Sequence, residues 1–204
     1  MNIGIDVDGV LTDLSGFILE NGNKFFKGKR SVINENTYKL MDMFDCSKEE
    51  EDKFWFKYVF KYCLKAKCEK DASDVIKKLR KNGHKIYIIT SRVYTKEQSI
   101  KGELFRKMLE YWLKKNNIEY DKIIYCNDDK VVNDKYYACK ENNIDIMIED
   151  SIDNVIAISK VCRVMLRNRP YNFGYNQVTK VSGFKEFYYK IEERGKCKKY
   201  EYKF

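Results

Sequence analysis

The chain has 204 residues, 44% of them hydrophobic and 15% aromatic, which is enough for one main domain with its own core. No apolar stretch is long enough for a membrane span, no signal-peptide pattern is present, and seven scattered cysteines without a Cys-x-x-Cys pair argue against a disulfide framework or a zinc site. We therefore predict a soluble, cytoplasmic protein with reduced thiols and no membrane partner, whose net charge of +9 favours anionic ligands.

The first predicted element is a buried strand at Asn2–Ile5, which is followed at once by Asp6 and Asp8. Residues two apart on a continuing strand point the same way, so these two carboxylates would be crowded together. Such crowding is unfavourable unless a cation or a proton compensates for it. Because α/β proteins bind ligands beyond the carboxyl ends of their strands, we interpret this pair as part of a site rather than as a plain Asp-rich turn.

Residues 14–70 are rich in aromatic side chains and predict a small helical insertion. Within it, 49–67 places apolar residues on one helical face: Trp55, Val59, Tyr62, Cys63 and Ala66. The insertion leaves the first strand directly above the Asp pair, so we expect it to act as a cap over the site. The individual aromatic residues are interpreted mainly as packing.

From residue 71 onward, helices alternate with strands. Helices are predicted at 72–82, 97–115, 135–142 and 153–160, and strands at 86–89, 123–126, 144–148 and 162–166, the last being the final strand. The apolar stripe of the second helix is predicted to contain Ile100, Leu104, Met108, Tyr111 and Trp112. This alternation indicates βαβ units, which form a mainly parallel sheet with helices on both faces.

The predicted division of the chain has three parts. Residues 1–13 and 71–175 form the α/β core, and 14–70 form the cap. Residues 176–204 form a C-terminal helix and a basic, aromatic tail. The tail makes nucleic-acid binding a possible second function, although an amphipathic terminal helix accounts for the same pattern and is favoured.

Polar side chains follow four of the predicted strands, and parallel strands would bring them to one edge of the sheet. They are Asp6 and Asp8, then Thr90, Ser91 and Arg92, then Lys130 and Lys135, and finally Glu149 and Asp150. Clustered carboxylates offer the hard oxygen ligands that Mg²⁺ prefers. A hydroxyl group and a lysine suit the oxygens of a phosphate group.

At these positions the sequence resembles the haloacid dehalogenase-like phosphohydrolases, over roughly residues 1–170. Asp-Val-Asp-Gly-Val-Leu-Thr-Asp at 6–13 resembles the first motif, and Ile-Ile-Thr-Ser-Arg at 88–92 the second. Lys135 resembles the third-motif lysine, and Ile-Glu-Asp-Ser at 148–151 the acidic fourth motif. The Ile-Thr-Ser-Arg and Ile-Glu-Asp-Ser strings are most similar to the 5′(3′)-deoxyribonucleotidase branch and related bacterial nucleotidases. The resemblance implies a Rossmann-like fold with a small cap inserted after the first strand.

The resemblance also implies a mechanism for hydrolysing a phosphate monoester. Asp6 would attack phosphorus and form an aspartyl-phosphate, while Asp8 would act as acid and then as base. Mg²⁺ would be bound by Asp6, the backbone carbonyl of Asp8, and Asp150. Lys135 and Thr90 would hold the phosphate group and complete the catalytic set. In this scheme Asp6 is ionised and Asp8 carries a proton.

Several assignments stay open at this stage. Lys130 competes with Lys135, which is preferred for its spacing to Asp150, and Glu149 competes with Asp150 as the metal ligand. Asp153 could assist at the metal. Ser91 and Arg92 are predicted to bind substrate, and a surface ion pair is the alternative for Arg92. Asn172 and the single histidine, His84, are interpreted as structural.

The leading hypothesis is a Mg²⁺-dependent phosphatase whose partner is a small phosphorylated molecule, most simply a nucleoside monophosphate. A second hypothesis keeps the chemistry and changes the substrate to a sugar phosphate or to the terminal phosphate of a nucleic acid. A third is a non-catalytic module that binds nucleic acid through the basic tail. The oligomeric state does not follow from the sequence.

Overall fold

A computed structural model describes residues 1–127 and 133–201 of the chain, with side chains up to residue 193. Its centre is a sheet of six parallel strands in the order β3-β2-β1-β4-β5-β6. The strands are β1 (Asn2–Ile5), β2 (Lys85–Thr90), β3 (Lys122–Tyr125), β4 (Ile146–Glu149), β5 (Arg163–Arg167) and β6 (Thr179–Val181). The predicted α/β class with a parallel sheet is confirmed.

Eight α-helices occur in the described residues. They are α1 (Leu14–Phe26), α2 (Leu40–Phe44), α3 (Lys48–Lys65), α4 (Ala72–Lys81), α5 (Ile100–Lys115), α6 (Asp134–Glu141), α7 (Ile152–Ile158) and α8 (Phe184–Glu201). Local sequence explains several boundaries, because Asp13, Ser99 and Asn133 accept hydrogen bonds from the first turns of α1, α5 and α6. Ser47 and Glu50 form a capping box at the start of α3.

Helices cover both faces of the sheet, as predicted. One face packs against apolar side chains of α4, α5 and α8, including Ile76, Trp112 and Phe187. The other face packs against α6 and α7 through residues such as Cys139 and Val155. Central strands buried on both faces read as continuous apolar runs, which explains why β1, β2, β4 and β5 are recognisable in the sequence.

The prediction that the strand at 162–166 is the last one is wrong. β6 pairs with β5 in parallel, with Met165 opposite Thr179 and Arg167 opposite Val181. β6 has only three residues, one of them Lys180, so it lacks the apolar run that marks the other strands. It lies at the edge of the sheet, where short and partly polar strands are common.

The predicted stripe of α5 is also partly wrong. Ile100 is 89% exposed, and Leu104 and Tyr111 are 46% and 55% exposed. The helix instead buries a neighbouring stripe that contains Phe105, Leu109, Trp112 and Leu113 together with Met108. Apolar residues cover more than one stripe of this helix, and contacts with the sheet and with α3 decide which of them is buried.

Residues 14–65 hold α1, α2 and α3, whose apolar side chains form a cluster of their own around Phe44 and Phe54. α3 also packs on α5 of the α/β core. No helix among the described residues is both long enough and apolar enough to cross a membrane. The six cysteines with described side chains are all free thiols. Residues 202–204 and the side chains from 194 onward, which belong to the predicted tail, lie outside the described part.

Candidate active site

The polar residues after β1, β2 and β4 meet at the carboxyl edge of the sheet. β1 lies between β2 and β4, so the chain passes to opposite sides of β1 in its successive crossovers. That reversal of strand order opens a crevice in doubly wound sheets, and it is where ligands bind. Asp6 lies beside Glu149 and Asp150 for this reason, although more than 140 residues separate them in the sequence.

Three buried carboxylates, those of Asp6, Glu149 and Asp150, form what we call the acidic cluster. One oxygen atom from each lies within 4.8 Å of the others. Lys135, at the start of α6, donates hydrogen bonds to Asp6 Oδ1 at 2.7 Å and to Glu149 Oε2 at 2.8 Å. The side chain of Lys135 is only 4% exposed. Within the part of the chain that the structure describes, this is the only ammonium group that bonds the acidic cluster, and it lies in a place that water scarcely reaches.

Burial makes this excess of negative charge costly. It raises the pKa of Asp6 well above its ordinary value, which Lys135 opposes only in part. Burial and the neighbouring Glu149 raise the pKa of Asp150 to about 7. A divalent cation would remove this cost, and carboxylate oxygens are suitable ligands for Mg²⁺. The donor set of the acidic cluster thus fits a divalent metal ion.

Glu149 and Asp150 differ in how they are held. Both oxygens of Glu149 are engaged by the protein: Oε2 by Lys135, and Oε1 by the Ser151 N–H at 3.2 Å and the Asn154 side-chain amide at 3.3 Å. Asp150 accepts a hydrogen bond at Oδ2 from the hydroxyl of Tyr171. Glu149 is therefore fixed by the surrounding protein, and Asp150 is the freer ligand of the two.

Asp8 lies outside the acidic cluster and forms an ion pair with Arg92, which we call the Asp8 pair. The Nε of Arg92 lies 3.1 and 3.2 Å from the two oxygens of Asp8, and Nη2 also contacts Oδ1. Tyr62 of α3 donates a hydrogen bond to Asp8 Oδ1 at 2.6 Å. The Arg92 side chain is 2% exposed, so the predicted alternative of a surface ion pair is wrong: the ion pair is buried and its partner is Asp8.

The surroundings of Asp8 and of Asp6 shift their pKa values in opposite directions. Burial raises the pKa of Asp8, but Arg92 and Tyr62 outweigh it and leave the pKa below its ordinary value. The pKa of Asp6 is shifted upward by burial, so the protein groups alone do not favour the predicted division, in which Asp6 is ionised and Asp8 carries a proton. That division requires a cation beside Asp6 and the release of Asp8 from Arg92.

Thr90 and Ser91 follow β2 at the same edge. Thr90 is fully buried, and its hydroxyl oxygen accepts a hydrogen bond from the Arg92 N–H at 3.1 Å. Ser91 borders the neighbouring cleft and donates to the Asn127 carbonyl at 3.0 Å. Ser91 itself borders the cleft, and Thr90 lies directly before it in the chain.

A cleft of about 1640 Å³ borders Asp8 and Arg92 and is lined by residues of α3, α5 and α7. Its outer part combines aromatic and aliphatic side chains with charged ones such as Lys48 and Lys101. Residues on that outer wall include Trp55, Phe56, Phe60, Ile100 and Leu104. Phe56 and Ile100 are 88% and 89% exposed, which is unusual for large apolar side chains and typical of a binding surface.

The other candidates fall outside the acidic cluster. Asp153 is exposed on the wall of the cleft, and Lys130 lies outside the described residues. His84 contacts the N-terminal amine and Glu192, as expected for a structural residue. Asn172 is buried and donates to the carbonyls of Asp150 and Arg167, both at 2.8 Å, so it stabilises a turn beside the site.

Three residues that contact the site residues or the loop beside them were not predicted from the sequence. Tyr62 appeared only as a packing residue, and neither Arg169 nor Tyr171 was singled out. Arg169 donates to the carbonyls of Gly9, at 2.7 Å, and Thr12, at 3.0 Å, and so braces the loop that holds Asp8. One signal was available, because 169–172 follows β5 at the same edge of the sheet.

Residues 1–197 match the family model described as 5′ nucleotidase, deoxy (pyrimidine), cytosolic type C protein. The chain belongs to this family. Among its relatives, a nucleotidase of Clostridium acetobutylicum is 29% identical over 174 residues, which span 84% of this chain and 82% of the relative. The family makes the protein a hydrolase of the nucleotidase and phosphatase kind, and not the non-catalytic module that was one alternative.

Solved structures show the same fold as this nucleotidase family member. A predicted phosphatase from Clostridium acetobutylicum aligns with a TM-score of 0.63 at 18% identity, over 94% of this chain and 98% of that one. D,D-heptose 1,7-bisphosphate phosphatase from B. bronchiseptica, complexed with magnesium and phosphate, aligns with a TM-score of 0.54 at 11% identity, over 95% and 99%. The predicted resemblance to haloacid dehalogenase-like hydrolases is confirmed.

Proposed function

We propose that the protein is a Mg²⁺-dependent phosphatase that hydrolyses a nucleoside monophosphate through a phosphorylated Asp6. The observation that carries this proposal is the acidic cluster with Lys135 at the end of β1. It puts a buried carboxylate beside a fixed ammonium group and beside two more carboxylates that suit a divalent cation. This arrangement supports the proposed roles of a nucleophile, a compensating charge and a cation site.

Asp6 is proposed as the nucleophile. One of its oxygens attacks phosphorus, and the bond from phosphorus to the leaving oxygen breaks, which gives an aspartyl-phosphate and a free alcohol. Lys135 holds Asp6 in place, and its pKa is well above the ordinary value because Asp6 and Glu149 outweigh the effect of burial. It therefore stays protonated and stabilises negative charge on the transferred group.

Asp8 is proposed as the general acid and base. It gives its proton to the leaving oxygen and then takes one from the water that hydrolyses the aspartyl-phosphate. For this it must leave Arg92, whose fork of N–H donors suits phosphate oxygens equally well. We propose that the incoming phosphate draws Arg92 away from Asp8, while Thr90 and Ser91 contribute hydroxyl groups to the same anion.

Asp6, Asp150 and the backbone carbonyl of Asp8 are the proposed ligands of Mg²⁺, with Glu149 holding Lys135 behind them. When bound, the cation would neutralise the crowded carboxylates and polarise a phosphate oxygen. The presence of magnesium and phosphate in the structurally similar heptose bisphosphate phosphatase supports this choice of metal.

The substrate proposal rests on the cleft and the family. The matched family is described as acting on deoxy (pyrimidine) nucleotides, and the outer cleft has aromatic side chains, such as Trp55, that suit a base. In this proposal residues 14–70 are the cap that selects the substrate, and 1–13 with 71–175 carry the chemistry. The family description as cytosolic also supports a cytoplasmic enzyme.

The test is phosphate release from a panel of monoesters with Mg²⁺, with EDTA as the control. The panel contains dUMP, dTMP, other 5′- and 3′-nucleotides, sugar phosphates, a 5′-phosphorylated oligonucleotide and an aryl phosphate. We expect release that needs Mg²⁺ and is fastest for a nucleoside monophosphate. A clear preference for a sugar phosphate or for the oligonucleotide would overturn the substrate assignment, and full activity in EDTA would overturn the metal assignment.

A further inference from the structure

The turn at 169–172 follows β5 and is hydrogen-bonded to the segments that follow β1 and β4. Pro170 fixes its own φ, and the side chain of Asn172 bonds both the Asp150 carbonyl and, through its oxygen, the Arg169 N–H at 2.9 Å. Arg169 in turn holds the carbonyls of Gly9 and Thr12. The turn is thus tied to both strands that carry the acidic cluster.

Tyr171 is the residue of this turn that reaches a proposed metal ligand. Its hydroxyl donates to Oδ2 of Asp150, which leaves the second carboxylate oxygen for a cation. Its ring packs against Tyr38, which precedes α2, with centroids 4.8 Å apart and an interplanar angle of 69°. The side chain is therefore fixed at both its ring and its hydroxyl.

Gly9 leaves the space that this contact needs. It has a φ of +84°, and a Cβ atom at this position would collide with the Asp150 carboxylate and lie 2.7 Å from the Tyr171 hydroxyl. The loop that carries Asp8 therefore closes directly over the hydrogen bond between Tyr171 and Asp150. Rotation of the Asp150 carboxylate would disturb both neighbours.

We propose that Tyr171 is a positioning residue that orients the Asp150 carboxylate for binding of the metal ion. This inference rests on the proposed metal-dependent function. Groups that hold metal ligands commonly contribute about 10- to 100-fold to metal affinity. Because the turn is fixed by Pro170, Asn172 and Arg169, removal of the hydroxyl alone should leave the fold intact and loosen only Asp150.

The test compares Tyr171→Phe with Tyr175→Phe in the full-length protein. Tyr175 lies four residues later, is also partly buried, and bonds Gln177 rather than a site residue. The dissociation constant of Mg²⁺ alone is measured by isothermal titration calorimetry, and thermal melts check folding. We expect Tyr171→Phe to weaken Mg²⁺ binding about 10- to 100-fold and Tyr175→Phe to leave it unchanged.

The dependence of the reaction rate on Mg²⁺ concentration is a second measurement, because a purely structural role of Tyr171 would not change the Mg²⁺ requirement alone. In Tyr171→Phe the Mg²⁺ concentration for half-maximal rate should rise, while the KM for nucleotide at saturating Mg²⁺ stays the same. A Mg²⁺ affinity within about twofold of wild type would overturn the inference but leave the proposed function standing, provided that wild type needs Mg²⁺ for activity. A wild-type protein that binds no Mg²⁺ and needs none would overturn both.

Discussion

The acidic cluster and the Asp8 pair are neighbours at one sheet edge, but their charge balance differs. The acidic cluster sets three carboxylates against one ammonium group, whereas the Asp8 pair sets one carboxylate against one guanidinium with a tyrosine hydroxyl in support. The first group is unbalanced and suits an added cation. The second is balanced already, so its ion pair must open before Asp8 can carry a proton.

The largest effect should come from removing the ammonium group of Lys135, the only one among the described residues that bonds the acidic cluster. Lys135→Met leaves Asp6 and Glu149 unpaired and buried, and loss of one partner of a buried ion pair costs about 3–5 kcal/mol. We expect that decrease in the free energy of unfolding in EDTA, partly recovered by Mg²⁺, together with loss of most activity. Urea denaturation in EDTA and in Mg²⁺ measures it.

Lys140→Met is the matched control, since Lys140 is exposed on the same helix. It should change the free energy of unfolding by less than about 0.5 kcal/mol. Equal destabilisation by the two substitutions would show that the acidic cluster is not the unbalanced group described above.

The next effect concerns the guanidinium of the Asp8 pair. Arg92→Met should lower kcat/KM about 10²- to 10³-fold, as is common when one donor to a transferred group is lost. Arg92→Lys keeps the charge but loses the fork, so it should fall between Arg92→Met and wild type. Steady-state kinetics at saturating Mg²⁺ measures both, with Lys107→Met, an exposed position of α5 outside the cleft lining, as a variant expected to stay near wild type. Wild-type kinetics in Arg92→Met would remove Arg92 from the mechanism.

A pH series sharpens the contrast between the two groups, because the acidic cluster, unlike the Asp8 pair, should titrate near neutrality. Burial first, and Glu149 second, raise the pKa of Asp150 to about 7. Mg²⁺ requires the ionised carboxylate, so its affinity should rise about tenfold between pH 6 and pH 8 and level off above. The free energy of unfolding should change in the opposite direction. Because the folded protein raises the pKa of Asp150, the stability that protonated Asp150 contributes in EDTA is lost as pH rises through about 7.

Isothermal titration calorimetry at several pH values measures the first trend and urea denaturation the second. Asp153→Asn, in the exposed wall of the cleft, should leave both unchanged. A Mg²⁺ affinity that does not vary between pH 6 and pH 8 would contradict the charge balance that we assign to the acidic cluster.

The smallest effect concerns the contact between α3 and the Asp8 pair. Tyr62→Phe removes a hydroxyl that bonds Asp8 and Thr12, and should cost about 1 kcal/mol of stability, since Arg92 still holds Asp8. Tyr58→Phe, one turn earlier and also buried, is the control, and melting curves compare the two. An unchanged stability in Tyr62→Phe would mean that the hydroxyl of Tyr62 adds nothing to this contact.

The strands and the acidic residues could be predicted because both depend on short stretches of sequence. Buried parallel strands are continuous apolar runs, and the site residues follow the strand ends directly, as Asp6 and Asp150 do. β6 has no such run, and the buried face of α5 depends on contacts with α3 and the sheet. These two features can be identified only from the three-dimensional structure.

The partners of the site residues were less accessible to sequence reasoning. Arg92 was predicted at the site, but its pairing with Asp8 joins residues 84 positions apart and depends on β2 lying beside β1. The Tyr171 hydroxyl reaches Asp150 only because β5 lies beside β4. Such contacts set the direction in which the pKa of each carboxylate is shifted, and the sequence alone does not show them.

The most direct test of the central claim is single-turnover hydrolysis of the preferred nucleotide with Mg²⁺ by Asp6→Asn. Asp13→Asn is the control, because Asp13 caps α1 in the same segment and is half-exposed. We predict that Asp6→Asn loses phosphate release by at least about 10⁴-fold while still binding nucleotide, and that Asp13→Asn stays close to wild type. Substantial release by a folded Asp6→Asn, with mass spectrometry excluding reversion to Asp, would contradict a phosphorylated Asp6.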